Sequence, residues 1–169
     1  MHSSLKYLNG YPDELTRPIQ TLLDNNTLKY HLLKKYPQPH VITNDKALRD
    51  FVMAIKNRYL RQSSPLSKII FDKKIHVINN ALGLHSFVSR VQGNKLKSKN
   101  EIRIATIFKK APEEFLTMIV VHELAHLKEK DHNKNFYQLC QHMLPDYHQL
   151  EFDMRIYLTQ LEKLGAIYN

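Results

Sequence analysis

Tryptophan is absent from the 169 residues, cysteine occurs once and glycine only four times. A lone cysteine, Cys140, excludes an internal disulfide framework and fits a reducing cytosol, so a cytoplasmic location is expected. Its spacing with Phe136, Leu139 and Met143 suits core packing rather than ligation. No Gly-rich linker, internal repeat or low-complexity segment breaks the chain, and its length implies one domain over residues 1–169. Long apolar runs are missing too. The longest, Phe115 to Val121, is interrupted by Thr117 and is far too short to span a membrane. The segment Met1-His2-Ser3-Ser4-Leu5-Lys6-Tyr7 has no apolar core, so no secretory signal is expected. Acidic residues are scarce: 16 against 25 Lys and Arg, for a formal net charge of +9. Between Arg90 and Lys110 stand Arg90, Lys95, Lys97, Lys99, Arg103, Lys109 and Lys110 against Glu101 alone. Such a field attracts phosphates, acidic substrates or, non-specifically, nucleic acid.

What the chain does have is ten histidines, three of them in one short stretch. Val120-Val121-His122-Glu123-Leu124-Ala125-His126 contains H-E-x-x-H, and His132 follows ten positions after His122. On a helix His122 and His126 lie one turn apart on one face, so both imidazoles can hold one Zn²⁺. Glu123 can then take a proton from metal-held water as general base. Catalytic zinc uses three protein ligands and one open position. His132 is the natural third ligand if the chain turns back after His126; Glu151 is the alternative. Three imidazoles favour zinc or a similar borderline metal. Tyr137, His142, Tyr147 and His148 are candidates, by position, for stabilising an oxyanion. His76 and His85 fall on expected strands and read as structural.

The surrounding pattern predicts an α+β fold. Residues 1–62 form a helical part. Leu15, Ile19, Leu22 and Leu23 mark a helix over 12–25, with Thr16 as N-cap so that Pro18 falls in the first turn. Leu28, Leu32, Leu33 and Tyr36 mark a second over 28–36, and Thr43 or Asn44 caps a third reaching Arg61. A small, mostly antiparallel sheet is expected over 68–108. Its strands would lie near 68–71, 75–78, 84–91 and 101–107, with a polar turn from Gly93 to Asn100. Residues 113–164 form the helical metal-site part. The H-E-x-x-H helix runs over 113–129, and two C-terminal helices follow over 134–144 and 147–164, the first capped by Asp131 or Asn133. Glu101–Ile107 is expected to be an exposed edge beside the metal, where an extended peptide could add as a strand.

Several segments together resemble the YgjP-like metallopeptidase family, over nearly the whole chain. They are Glu101-Ile102-Arg103-Ile104-Ala105-Thr106, Ala111-Pro112, Ile119 to Leu127, His132-Asn133-Lys134-Asn135-Phe136 and Pro145-Asp146-Tyr147-His148-Gln149. That family is related to the SprT and WLM zinc proteases, some of which act on DNA-bound proteins. The resemblance implies a compact zincin-like fold, His122, His126 and His132 as zinc ligands and Glu123 as base. It also implies a second activity, since some members are assigned a nucleotide pyrophosphatase activity on UTP. Two departures limit the inference. Many wider relatives carry Trp-Gly-Ser-Cys before the edge strand, where this chain reads Ser86-Phe87-Val88-Ser89-Arg90-Val91-Gln92-Gly93. The histidine spacing equals that of metzincins, but Glu129 takes the glycine position and no Met-turn is evident; Met143 reads as core.

The leading expectation is therefore a zinc-dependent metallopeptidase. The alternatives are a metal-dependent nucleotide pyrophosphatase acting on a UTP-type phosphoanhydride, and a nucleic-acid-associated protease or binding module. The expected partners are a polypeptide or nucleotide substrate, with nucleic-acid contact through Arg90–Lys110 and no membrane. Few aromatics (Phe87 and Phe108) interleave that basic stretch, which argues against base stacking there.

Overall fold

The computed structural model describes the backbone of residues 3–75, 83–92 and 95–168, and the side chains of 5–75 and 100–168. Among the described residues six helices dominate: α1 (Asp13–Asp24), α2 (Leu28–Lys35), α3 (Asp45–Tyr59), α4 (Glu113–Ala125), α5 (Lys134–Met143) and α6 (Tyr147–Lys163). Three strands, β1 (Leu66–Asp72), β2 (Gly83–Gln92) and β3 (Lys95–Ala105), form one sheet in the order β1-β3-β2.

α4 is the hub. Eight apolar residues from Phe115 to Ala125 are fully buried around its whole circumference. A helix apolar on all sides must sit inside the protein, and α4 packs against α3, α5, α6 and the sheet strands β2 and β3. Its entry follows from local chemistry. Ala111 is extended, as a residue before proline prefers, and Pro112 then stands at the N-cap. Glu113 and Glu114 occupy the first turn, where carboxylates suit the helix dipole. A short 3-10 turn, Thr106–Lys110, precedes it. His40 pins that turn: its Nε2–H donates to the Phe108 carbonyl at 2.6 Å, its Nδ1 accepts from the Ile42 N–H at 2.9 Å, and its own N–H donates to the Ala111 carbonyl.

The sheet differs from expectation in two ways. It is not mostly antiparallel: β1 runs parallel to β3, with Ile69 opposite Ile102 and Phe71 opposite Ile104, all four buried. Only β2 is antiparallel to β3. Second, β3 is the central strand, so Glu101–Ile107 is no exposed edge. From Asn100 to Ile104 it is flanked on both sides, by β1 and β2, and Thr106 and Ile107 have already left the strand. The polar turn expected over Gly93–Asn100 is largely strand, since β3 begins at Lys95 and pairs it with Gln92. The strand expected at 75–78 lies outside the described residues apart from Ile75, which follows β1 in a turn.

Helix ends also shift. α1 starts at Asp13 with Pro12 at its N-cap, so Pro18 lies inside the helix rather than in its first turn. α4 ends at Ala125, not 129; the chain continues through turn bonds from Leu127 and Lys128 back to Leu124 and Ala125. α3 is capped by Asn44, whose side chain accepts from the Ala47 N–H at 2.8 Å. α6 stops before Gly165, which adopts φ +98° and donates to the Gln160 carbonyl.

Asp153 on α6 ties the N-terminal helices to the core. Its Oδ2 accepts from Lys35 Nζ at 2.6 Å and Tyr36 OH at 2.5 Å, and its Oδ1 from Gln149 Nε2 at 2.9 Å. The buried apolar residues of all these elements form one connected cluster. No helix among the described residues is long and apolar enough to cross a membrane.

Candidate metal centre

α4 carries His122 and Glu123 in its last turn, and His126 caps its end. The turn that follows brings His132 back, and Asn133 starts α5 by accepting from the Phe136 N–H at 2.9 Å. Asn133 rather than Asp131 is therefore the cap, and His132 sits immediately before it. One ring nitrogen from each of His122, His126 and His132 falls within a 4.8 Å group.

Two details fit a shared metal ion. His126 Nδ1 lies 2.9 Å from the Glu129 carbonyl, an acceptor only, so Nδ1 carries the proton and Nε2 the lone pair. That Nε2 faces His132 Nε2 at 3.1 Å. Imidazole nitrogens bound tetrahedrally at 2.0–2.1 Å from one zinc stand about 3.3 Å apart. The 3.1 Å separation is close to that spacing. Burial, and then the charges of His126 and His132, hold His122 down to about 3, so it is a neutral imidazole, the form that binds metal.

Phe136 supports all three rings. Fully buried, it lies 4.6–4.9 Å, centroid to centroid, from His122, His126 and His132. Glu123 is also buried, with Oε1 4.0 Å from His122 Nε2.

The remaining candidates separate. Glu151, the alternative third ligand, instead accepts from Tyr147 OH at 3.1 Å, and that hydroxyl lies 2.7 Å from His122 Nδ1. Burial, reinforced by Glu151, pushes the Tyr147 phenol far above its ordinary range, so it stays protonated. His142 packs edge-on against Tyr59, away from the centre. Tyr137 and the exposed His148 pair at 5.4 Å, with Tyr137 6.4 Å from the His132 ring. Cys140 and Met143 are buried core, and burial pushes the Cys140 thiol up to about 12. His76 lies outside the described residues, as do the side chains of His85, Arg90, Lys95, Lys97 and Lys99. Arg103 is engaged by Asp72 at 2.7 Å and Glu101 at 3.1 Å, and Lys109 lies over the Phe71 ring.

Reasoning from sequence missed Phe136 as a support and the Glu129 carbonyl as the anchor of His126. Phe136 was legible only as a core position. The carbonyl has no side-chain signature.

Comparison with known proteins adds three findings. A family model described as "YgjP-like, metallopeptidase domain" matches residues 27–156. A protein of Escherichia coli (strain K12) named UTP pyrophosphatase is 59% identical over 159 residues, which is 94% of this chain and 95% of that relative. No solved structure matches the chain.

Proposed function

We propose, for a chain that belongs to the YgjP-like metallopeptidase-domain family, that it is a metal-dependent hydrolase of a nucleotide phosphoanhydride, in the manner of a UTP pyrophosphatase. The observation that carries the reading is the 59% identity, end to end, with a protein bearing that name. The three-histidine cluster, a group able to hold a metal ion, supports it. His122, His126 and His132 would hold the ion, and bound zinc would supply Lewis-acid polarisation and an acidified water. Glu123, buried beside His122, takes the proton of the attacking water as a phosphorus–oxygen bond breaks. Lys95, Lys97 and Lys99 add positive charge suited to the polyphosphate.

A second reading, a zincin-like metallopeptidase, is favoured by the description of the family model. It loses the peptide-binding edge expected of Glu101–Ile107, because β3 is central. Zinc-loaded protein offered UTP and an unfolded polypeptide in parallel separates the two. The nucleotide reading expects release of pyrophosphate and an intact polypeptide, with a raised KM when Lys95, Lys97 and Lys99 are replaced together. Absence of nucleotide turnover with any divalent metal would overturn it. Nucleic-acid association is a further proposal on the charge of Arg90–Lys110, and it expects binding that weakens steeply with salt.

A further inference from the structure

Each metal-facing imidazole must present a lone pair, and a neutral ring has one nitrogen that carries the proton and one that does not. For His126 the main chain makes the choice, through the Glu129 carbonyl. For His122 the partner at Nδ1 is a side chain, the hydroxyl of Tyr147 at 2.7 Å. A hydroxyl can donate or accept, so by itself it leaves the tautomer open. Glu151 removes the ambiguity. Its Oε2 takes the Tyr147 proton at 3.1 Å, leaving only oxygen lone pairs toward the ring. His122 Nδ1 must then donate, and Nε2 is left bare toward His126 and His132.

We propose that Tyr147, aimed by Glu151, is the positioning residue that sets the tautomer and orientation of His122 for the metal. The inference rests on the metal-centre reading above. Tyr147 is the first residue of α6 and Glu151 lies one turn on, so one rigid helix holds both groups. The Tyr147 ring lies near-parallel to His122, 15° between planes. It is fully buried, so bulk water has no ready access to replace the hydroxyl. Partners of this kind, which hold a ligating histidine from behind, typically contribute 10–100-fold to metal affinity.

The test is a competition titration of Zn²⁺ against a chromophoric chelator, on wild type, Tyr147→Phe and Glu151→Gln, alongside the nitrogen-15 signals of the His122 ring in the metal-free proteins. Tyr147→Phe is expected to weaken Zn²⁺ about 10–100-fold and to convert His122 from one Nδ1–H tautomer to a mixture, with the thermal transition still cooperative. Glu151→Gln retains an acceptor for the tyrosine proton and is expected to lose less than Tyr147→Phe. Affinity within twofold of wild type for Tyr147→Phe, or an unchanged tautomer, would overturn the proposal. Should Tyr147→Phe fail to fold, Glu151→Ala at its part-exposed position is read instead. Wild-type Zn²⁺ affinity there overturns the proposal, and weaker binding with a tautomer mixture supports it. A wild type that binds no Zn²⁺ would sink the metal centre itself, a result distinct from loss of the positioning role alone.

Discussion

At the scale of the residue, the three-histidine cluster rests on a side chain with no metal-binding chemistry. Phe136 touches His122, His126 and His132 at once and has no exposed surface. Removing its ring opens a cavity under all three imidazoles. Phe136→Ala is expected to cost about 3–5 kcal/mol, a fall in Tm of roughly 6–20 °C for a chain of this size. Thermal denaturation followed by circular dichroism checks it, and a shift under 2 °C would contradict a supporting role. The histidines themselves were legible from sequence because helix periodicity is local: four residues apart is one face. The support was not. Phe136 and His122 are neighbours only through the turn between α4 and α5, and an inward Phe looks the same whether it faces leucines or ligands. Tyr147 was legible as a candidate but not in its place, since its bond to His122 spans 25 residues.

At the scale of the element, His132 is delivered by the start of α5. Asn133 was among the two caps the sequence pattern allowed, and its side chain does accept from the Phe136 N–H. Asn133→Ala is expected to cost about 1 kcal/mol and to loosen the segment carrying His132, measurable as a lowered denaturation midpoint. The sheet was less legible. Alternation located the strands, but strand order is a non-local property. The parallel pairing of β1 with β3 joins residues more than thirty positions apart, such as Ile69 and Ile102. Charge marks that pairing: Arg103 of β3 reaches Asp72 at the end of β1. The Asp72 carboxyl is held below its ordinary range, first by the Lys74 N–H and then by Arg103. A carboxyl depressed in the folded state stabilises above its unfolded value, about 3.9, and that contribution is lost as pH falls through the lower folded value. Wild type should therefore lose more stability than Asp72→Asn between pH 5 and the acid limit, and parallel slopes in chemical denaturation over that range would contradict this.

At the scale of the whole molecule, the order of elements puts the largely apolar α4 at the centre and His132, beyond its end, at the surface. From Phe115 onward α4 is largely buried, and its last turn carries the buried Glu123 beside the half-buried His122, with half-buried His126 at its end; His132 is exposed. The helix-dominated architecture and the three-histidine centre were legible in sequence, because both rest on periodicity and spacing. The choice between peptide and nucleotide was not, because H-E-x-x-H chemistry activates water for either. The central strand and the identity with a UTP pyrophosphatase move the reading toward the nucleotide. The central claim is that Glu123 and the three histidines form one hydrolytic centre acting on a nucleotide phosphoanhydride. Its most direct test is pyrophosphate release from UTP by wild type and Glu123→Gln at matched Zn²⁺ content. The account predicts turnover by wild type and a loss of about 10²–10⁴-fold in the variant with zinc still bound. A metal-loaded Glu123→Gln protein that works at the wild-type rate would contradict it.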